Sequence, residues 1–132
     1  FVFGPQVQPI PLATEVPVLG DMATVSGWGT TGPNETAAYR LQVTNLPIVG
    51  RDDCVRRYLK MAAITPNMIC AGYETGGNDT CKGDSGGPLA VEGKLAGIVS
   101  FGAGCAVPGY PGVYSNVPAL LDFITNVTGI TA

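Results

Sequence analysis

The run Thr80-Cys81-Lys82-Gly83-Asp84-Ser85-Gly86-Gly87-Pro88-Leu89 concentrates the residue types that could do chemistry. Ser85 is a small hydroxyl residue set among Gly83, Gly86 and Gly87, with a carboxylate before it and Cys81 four positions upstream. Glycines admit backbone conformations closed to other residues and keep side chains off whatever approaches Ser85. Such a turn exposes a hydroxyl and aims nearby backbone N–H groups at one point, which suits an attacking Ser beside an oxyanion site. A bare Gly-Asp-Ser-Gly also fits a glycine-rich turn with an incidental Ser. The rest of the chain has to separate these readings.

At 132 residues the chain is long enough for one core and short enough to profit from cross-links. Hydrophobic residues make up 45% and charged ones 13%, which argues against disorder. Nineteen Gly and eleven Pro imply many turns and few long helices, hence an all-β fold of short strands. A net charge of −3, with no basic cluster beyond Arg56-Arg57, argues against a nucleic-acid partner. The longest uncharged apolar stretch, Leu95 to Val107, is too short and glycine-rich to span a bilayer, so no membrane partner is expected. No signal peptide is seen, and Phe1 reads as the start of a processed chain. Asn-x-Thr sequons at Asn34, Asn78 and Asn126 fit a secreted, extracellular glycoprotein. Four cysteines allow three pairings, or stand as free thiols in a reduced protein. With no C-x-x-C and no His, a zinc site is not expected.

Prolines among apolar residues over 1–20 forbid a helix and read as an extended connector. Strands are expected at Met22 to Trp28, Leu41 to Val49, Met68 to Tyr73, Pro88 to Val91, Lys94 to Ser100 and Gly112 to Ser115. Glu92-Gly93 should turn the fourth into the fifth. Arg51 to Lys60 reads as a short helix, with Asp52 and Asp53 at its start and basic residues toward its end. Pro118 to Val127 reads as a terminal helix, with Leu120, Leu121 and Ile124 on one side. Numerically, Gly83 to Gly87 also satisfies the G-x-S-x-G elbow, which must pass from a strand directly into a helix. Pro88 instead opens a strand and hairpin, and that context rejects the elbow.

Gly27-Trp28-Gly29, Gly83-Asp84-Ser85-Gly86-Gly87-Pro88 and Pro111-Gly112-Val113-Tyr114 occur in that order. Together they closely resemble the C-terminal half of secreted serine proteases of the chymotrypsin/trypsin family, and the resemblance runs the length of the chain. It implies an antiparallel six-stranded β-barrel over 21–117, an inter-barrel strap over 1–20 and a C-terminal helix over 118–132. It implies the disulfides Cys54–Cys70 and Cys81–Cys105. Ser85 would be the nucleophile of that family's established triad mechanism, with the Gly83 and Ser85 backbone N–H groups as the oxyanion hole. Asp84 would pair with the α-amino group freed by zymogen cleavage, and without it would be a buried carboxylate lacking a counter-charge. Asp79, beside Thr80, stands where the family places the floor of its specificity pocket, and a carboxylate there favours a substrate Arg or Lys. Gly102 and Gly112 would leave room for a long side chain, and Ser100-Phe101-Gly102 would pair with the substrate backbone. Asp79 also fits a plain Gly-Gly-Asn-Asp turn. A glycan on Asn78, next to that floor, sits poorly with a working pocket.

Trp28 is expected in core or interface packing, Tyr58 and Tyr114 as pocket walls or loop buttresses, and Arg56 and Arg57 on a solvated helix face. Ala23, Val43 and Val91 stand where vertebrate trypsins often carry Cys, and Phe101 where trypsins usually carry Trp, a pattern resembling simpler, invertebrate-type enzymes. A triad also needs a general base, and residues 1–132 contain no His. The resemblance therefore implies a non-covalent companion chain that carries the N-terminal barrel with the catalytic His and Asp, and protein or peptide substrates with Arg or Lys. The alternative is a catalytically inactive, protease-like binding module for basic peptides. Neither reading calls for a cofactor or a metal.

Overall fold

Alternation of apolar and polar residues sets the strands. The computed structural model describes residues 1–132 except Thr31, Pro33, Asn34, Asn78 and Lys82. Strands β1 (Met22–Gly27), β2 (Gln42–Val49), β3 (Met68–Ala71), β4 (Pro88–Val91), β5 (Lys94–Phe101) and β6 (Gly112–Asn116) close into one barrel in the order β1-β2-β3-β6-β5-β4. Every pairing is antiparallel. Ala23 and Val25 on β1 and Leu46 and Ile48 on β2 point inward at every second position and meet Ile69, Leu89, Ala96 and Tyr114 in the barrel core. The all-β barrel expected from the sequence is the fold observed.

The β4–β5 turn has positive φ at both central residues, 51° at Glu92 and 74° at Gly93, as a tight hairpin needs. Helix α1 (Arg51–Tyr58) buries Cys54 and Tyr58, four residues apart on one face. Cys54 is bonded to Cys70 on β3, so the helix is tied to the barrel wall. Cys81 is bonded to Cys105. Both pairings are those the resemblance implied. Residues 1–20 attach by a parallel bridge of Leu12 to Leu95, with Ala13 N–H donating to Leu95 O at 2.9 Å and Leu95 N–H to Pro11 O at 2.8 Å.

One expectation changes and another narrows. The terminal helix begins as a 3₁₀ turn over Pro118–Leu120 and only then becomes α2 (Leu121–Thr128), ended by Gly129 at φ 74°. Pro118 cannot donate a backbone hydrogen bond and enters the helix through the tighter turn. Leu121 and Ile124 are half-buried, whereas Phe123 and Val127 are exposed. For Trp28, expected in core or interface packing, the choice narrows: it lies one residue past β1 and is 58% exposed, which removes the core placement and keeps the interface one.

Candidate active site

The turn that carries Ser85 is pinned on both sides. Gly86 N–H donates to Val99 O and Val99 N–H to Gly87 O, each at 2.9 Å, which fastens it to β5. Asp84 N–H donates to Cys81 O at 3.0 Å and Gly87 N–H to Asp84 O at 2.9 Å, which closes it on itself. Gly83 has φ 93°, and a Cβ there would stand 3.1 Å from Gly29 Cα, so backbone geometry and space both call for glycine. Ser85 is exposed. Among the described residues, its hydroxyl and the N–H groups of Gly83 and Ser85 have no hydrogen-bond partner. The hydroxyl and the two backbone donors thus remain without internal hydrogen bonds to the described residues.

Asp84 turns away from that point. Its Oδ1 accepts from Gly29 N–H at 2.8 Å and its Oδ2 from Cys81 N–H at 3.0 Å. A Cβ on Gly29 would lie 2.5 Å from the Asp84 carboxyl carbon, and one on Gly27 would collide with the carboxylate outright. The two glycines around Trp28 thus leave the room that Asp84 occupies. The side chain is half-buried and takes two backbone donors, and among the described residues no cation lies within ion-pair distance of it.

Asp79 is held by the loop that follows β5. Its Oδ2 accepts from Ala106 N–H at 3.0 Å and its Oδ1 from Thr80 N–H at 2.7 Å. Burial pushes its carboxyl pKa up, against those backbone donors and the Thr80 hydroxyl, which pull it down. Thr80 Oγ1 in turn lies 3.3 Å from the Tyr114 hydroxyl, whose phenol burial drives far upward. On β6, a Cβ on Gly112 would stand 2.8 Å from Asp79 Oδ1, so only glycine leaves the carboxylate its place.

One cavity of about 300 Å³ gathers Asp79, Thr80, Ser85, Ser100, Phe101 and Gly102, with the Cys81–Cys105 bridge in its wall. Residues separated by up to 26 positions in sequence thus meet at one opening, and Gly112 stands against Asp79. Asn126 lies apart, exposed on α2. Asn34 and Asn78 fall outside the described residues.

Tyr58 spans the loop between β5 and β6. Its hydroxyl donates to Pro111 O at 2.6 Å and accepts from Ala103 N–H at 3.2 Å, while its ring meets Phe101 and Tyr110 edge-on at 6.0 and 5.7 Å. It is a buttress rather than a wall, since it does not line the cavity. On the solvated face of α1, the Arg57 guanidinium reaches Asp53 at 3.4 Å and Glu74 at 3.2 Å, linking the helix to the loop before Asp79. The Ala106 donor was missed from the sequence, because a backbone N–H carries no side-chain signal.

The closed six-stranded antiparallel barrel with its short C-terminal helix is a trypsin-like fold, and the comparisons give the family. The trypsin family model matches residues 1–124, and the chain belongs to the trypsin family. Trypsin eta of Drosophila erecta is 48% identical over 120 residues, which cover 91% of this chain and 46% of that protein. Trypsin-1 of Salmo salar is also 48% identical over 120 residues, covering 91% of this chain and 49% of its own. Fly and fish relatives stand at equal identity, so identity does not single out an invertebrate type. The solved structure of neuropsin, a serine protease expressed in the limbic system of mouse brain, superposes with a TM-score of 0.88 at 39% identity, over 96% of this chain and 56% of neuropsin. The chain spans about half the length of the curated relatives it matches.

Proposed function

We propose that this chain is the nucleophile-bearing half of a secreted serine endopeptidase that cleaves after Arg or Lys. The observation that carries the reading is the shared cavity, in which an exposed Ser85 and the Asp79 carboxylate open onto one space. A substrate Arg or Lys enters with its charge against Asp79, where a desolvated ion pair with backbone donors behind it is strong. Ser100 to Gly102 pair with the substrate backbone as an added strand. Ser85 Oγ attacks the following carbonyl carbon, and the oxygen, as it gains negative charge, takes hydrogen bonds from the Gly83 and Ser85 N–H groups. Collapse expels the amine and leaves an acyl ester on Ser85, which water hydrolyses.

The proton of Ser85 needs a base from outside residues 1–132, which hold no His. The reading assigns that His, and the acid that orients it, to a companion polypeptide carrying the N-terminal barrel. All four cysteines are paired within the chain, so the contact is non-covalent. Residues 1–20 serve as the strap between barrels, 21–117 as the C-terminal barrel and 118–132 as its closing helix. Asp84 receives the α-amino group released on activation, in the space beside Gly27 and Gly29. Secretion rests on the paired cysteines and the sequons, of which Asn126 is exposed and open to glycosylation.

The test is the Asp79→Ser substitution in the intact protease. Cleavage after Arg and Lys should fall by at least about a hundredfold, the scale expected when a paired charge loses its partner, while Ser85 keeps its reactivity toward an acylating agent. Undiminished cleavage after Arg in that variant overturns the pocket assignment.

A further inference from the structure

A larger cavity, of about 420 Å³, lies elsewhere on the barrel. Strand β6 locates it relative to the site already described. Gly112 stands against Asp79, Tyr114 is in the core, and Asn116, two residues on and therefore on the same interior face, reaches this second cavity. Its walls are apolar: Val16 and Leu19 from the N-terminal segment, Ile48 from β2, Ile64 from the chain leading into β3, and Met68 and Ile69 from β3 itself. Ile48 and Ile69 belong to the barrel core as well, so the cavity opens onto the core itself.

Two polar groups in that lining are incompletely used. Asn116 is 4% exposed; its Nδ2 donates to Pro66 O at 3.1 Å, but its Oδ1 is buried with no hydrogen-bond partner among the described residues. A buried acceptor without a donor is destabilising, and a molecule that supplies an N–H or O–H removes that penalty. Arg51 stands in the same lining, exposed, with Nη2 donating to Ile64 O at 2.9 Å and Nη1 to Met68 O at 3.3 Å. Those bonds fix the guanidinium but leave three of its five donors, and among the described residues no carboxylate is within ion-pair distance.

We infer that this cavity is a second binding site, for a small amphipathic carboxylic acid that carries a hydrogen-bond donor near its apolar body. The carboxylate pairs with Arg51, the apolar part lies against Ile48, Ile64 and Met68, and the donor satisfies Asn116 Oδ1. An N-acylated apolar amino acid and the free C-terminal end of an apolar peptide present this same chemistry. The site is separate from the Asp79 cavity and independent of the protease reading. A cavity of this volume, mostly apolar with a few convergent polar groups, is of the size and character that hold such ligands.

The test is a titration of the intact protein with N-acetyl-L-leucine, followed by the side-chain amide resonance of Asn116 and the methyl resonances of Ile64 and Met68. Saturable shifts at these groups are expected, with a dissociation constant of about 1 mM for a ligand this small. Arg51→Gln should weaken binding about tenfold, and replacing the probe by N-acetyl-L-leucinamide, which lacks the carboxylate, should weaken it alike. Asn116→Leu should abolish binding yet raise the thermal midpoint, because it removes the orphan acceptor. N-acetyl-L-leucine and a short peptide ending in leucine, compared on one protein, distinguish the two sources of the ligand by their affinity. Absence of saturable shifts, shifts confined to the Asp79 cavity, or affinity undiminished in Arg51→Gln or for the leucinamide would each overturn the proposal.

Discussion

The behaviour of Asp79 follows from its place between solvent and the barrel interior. Burial raises its pKa above the ordinary 3.8, so the folded chain holds this proton more tightly than the unfolded one. The group therefore favours folding fully below pH 3.8, and that contribution is lost as pH rises through the raised folded value. Asp79→Asn removes the dependence. Urea midpoints of native and variant protein should diverge in the variant's favour as pH climbs through that window, and a pH-independent difference contradicts burial as the cause. Cation binding has the opposite sign, because only the ionised carboxylate attracts a guanidinium. Ethylguanidinium affinity should rise over the same window in calorimetric titrations. Gly112→Ala places a methyl 2.8 Å from Asp79 Oδ1, and the carboxylate must move. Guanidinium affinity in that variant should fall about tenfold, or ~1.4 kcal/mol.

Among the elements, the loops around the cavity are held by contacts of unequal worth. Tyr58 reaches across from α1 to Pro111 and Ala103 with a fully buried hydroxyl. Tyr58→Phe leaves a carbonyl and an N–H unsatisfied and should cost about 1–3 kcal/mol in urea unfolding. Arg57 joins α1 to Glu74 at the surface, where solvent screens the pair, and Arg57→Gln should leave the thermal midpoint unchanged. The Cys81–Cys105 bridge closes a span of 24 residues, and its removal should cost ~3 kcal/mol in the same assay.

This scale also explains what could be read from the sequence. Period-two alternation over Leu41 to Val49 marked that segment as a half-buried strand, because such a strand has no other way to place its apolar residues; which side chains face the core, Leu46 and Ile48, is read from the fold. Glu92-Gly93 and the glycines around Ser85 declared their turns by type. The family motif places Asp79, Ser85 and Gly102 near one another from the sequence alone. The bond from Ala106 N–H to Asp79 and the pairing of Arg57 with Glu74 were not legible, since neither residue type nor spacing records which loops meet. Trp28 left two placements open for a related reason: a large aromatic residue reports that something covers it, without saying whether the cover is its own core.

At the scale of the molecule, the barrel is closed while its surface keeps large apolar side chains in the open. Phe3, Trp28, Phe123 and Val127 are 60%, 58%, 64% and 69% exposed. On the proposed reading, these belong to the surface that a companion barrel covers. Residues 1–132 expressed alone should then bind an apolar fluorescent dye and self-associate in sedimentation, and adding the companion polypeptide should suppress both. A monomeric, dye-silent chain contradicts that view of the surface. The central claim concerns Ser85 itself. Its most direct test is mass spectrometry of the intact protein after treatment with a serine-directed organophosphate, under native and then denaturing conditions. The account predicts one adduct, on Ser85, lost in Ser85→Ala, with a companion polypeptide bound in the native spectrum. An assembled protein that takes no label contradicts it, and the chain is then a binding module that holds basic peptides without cutting them.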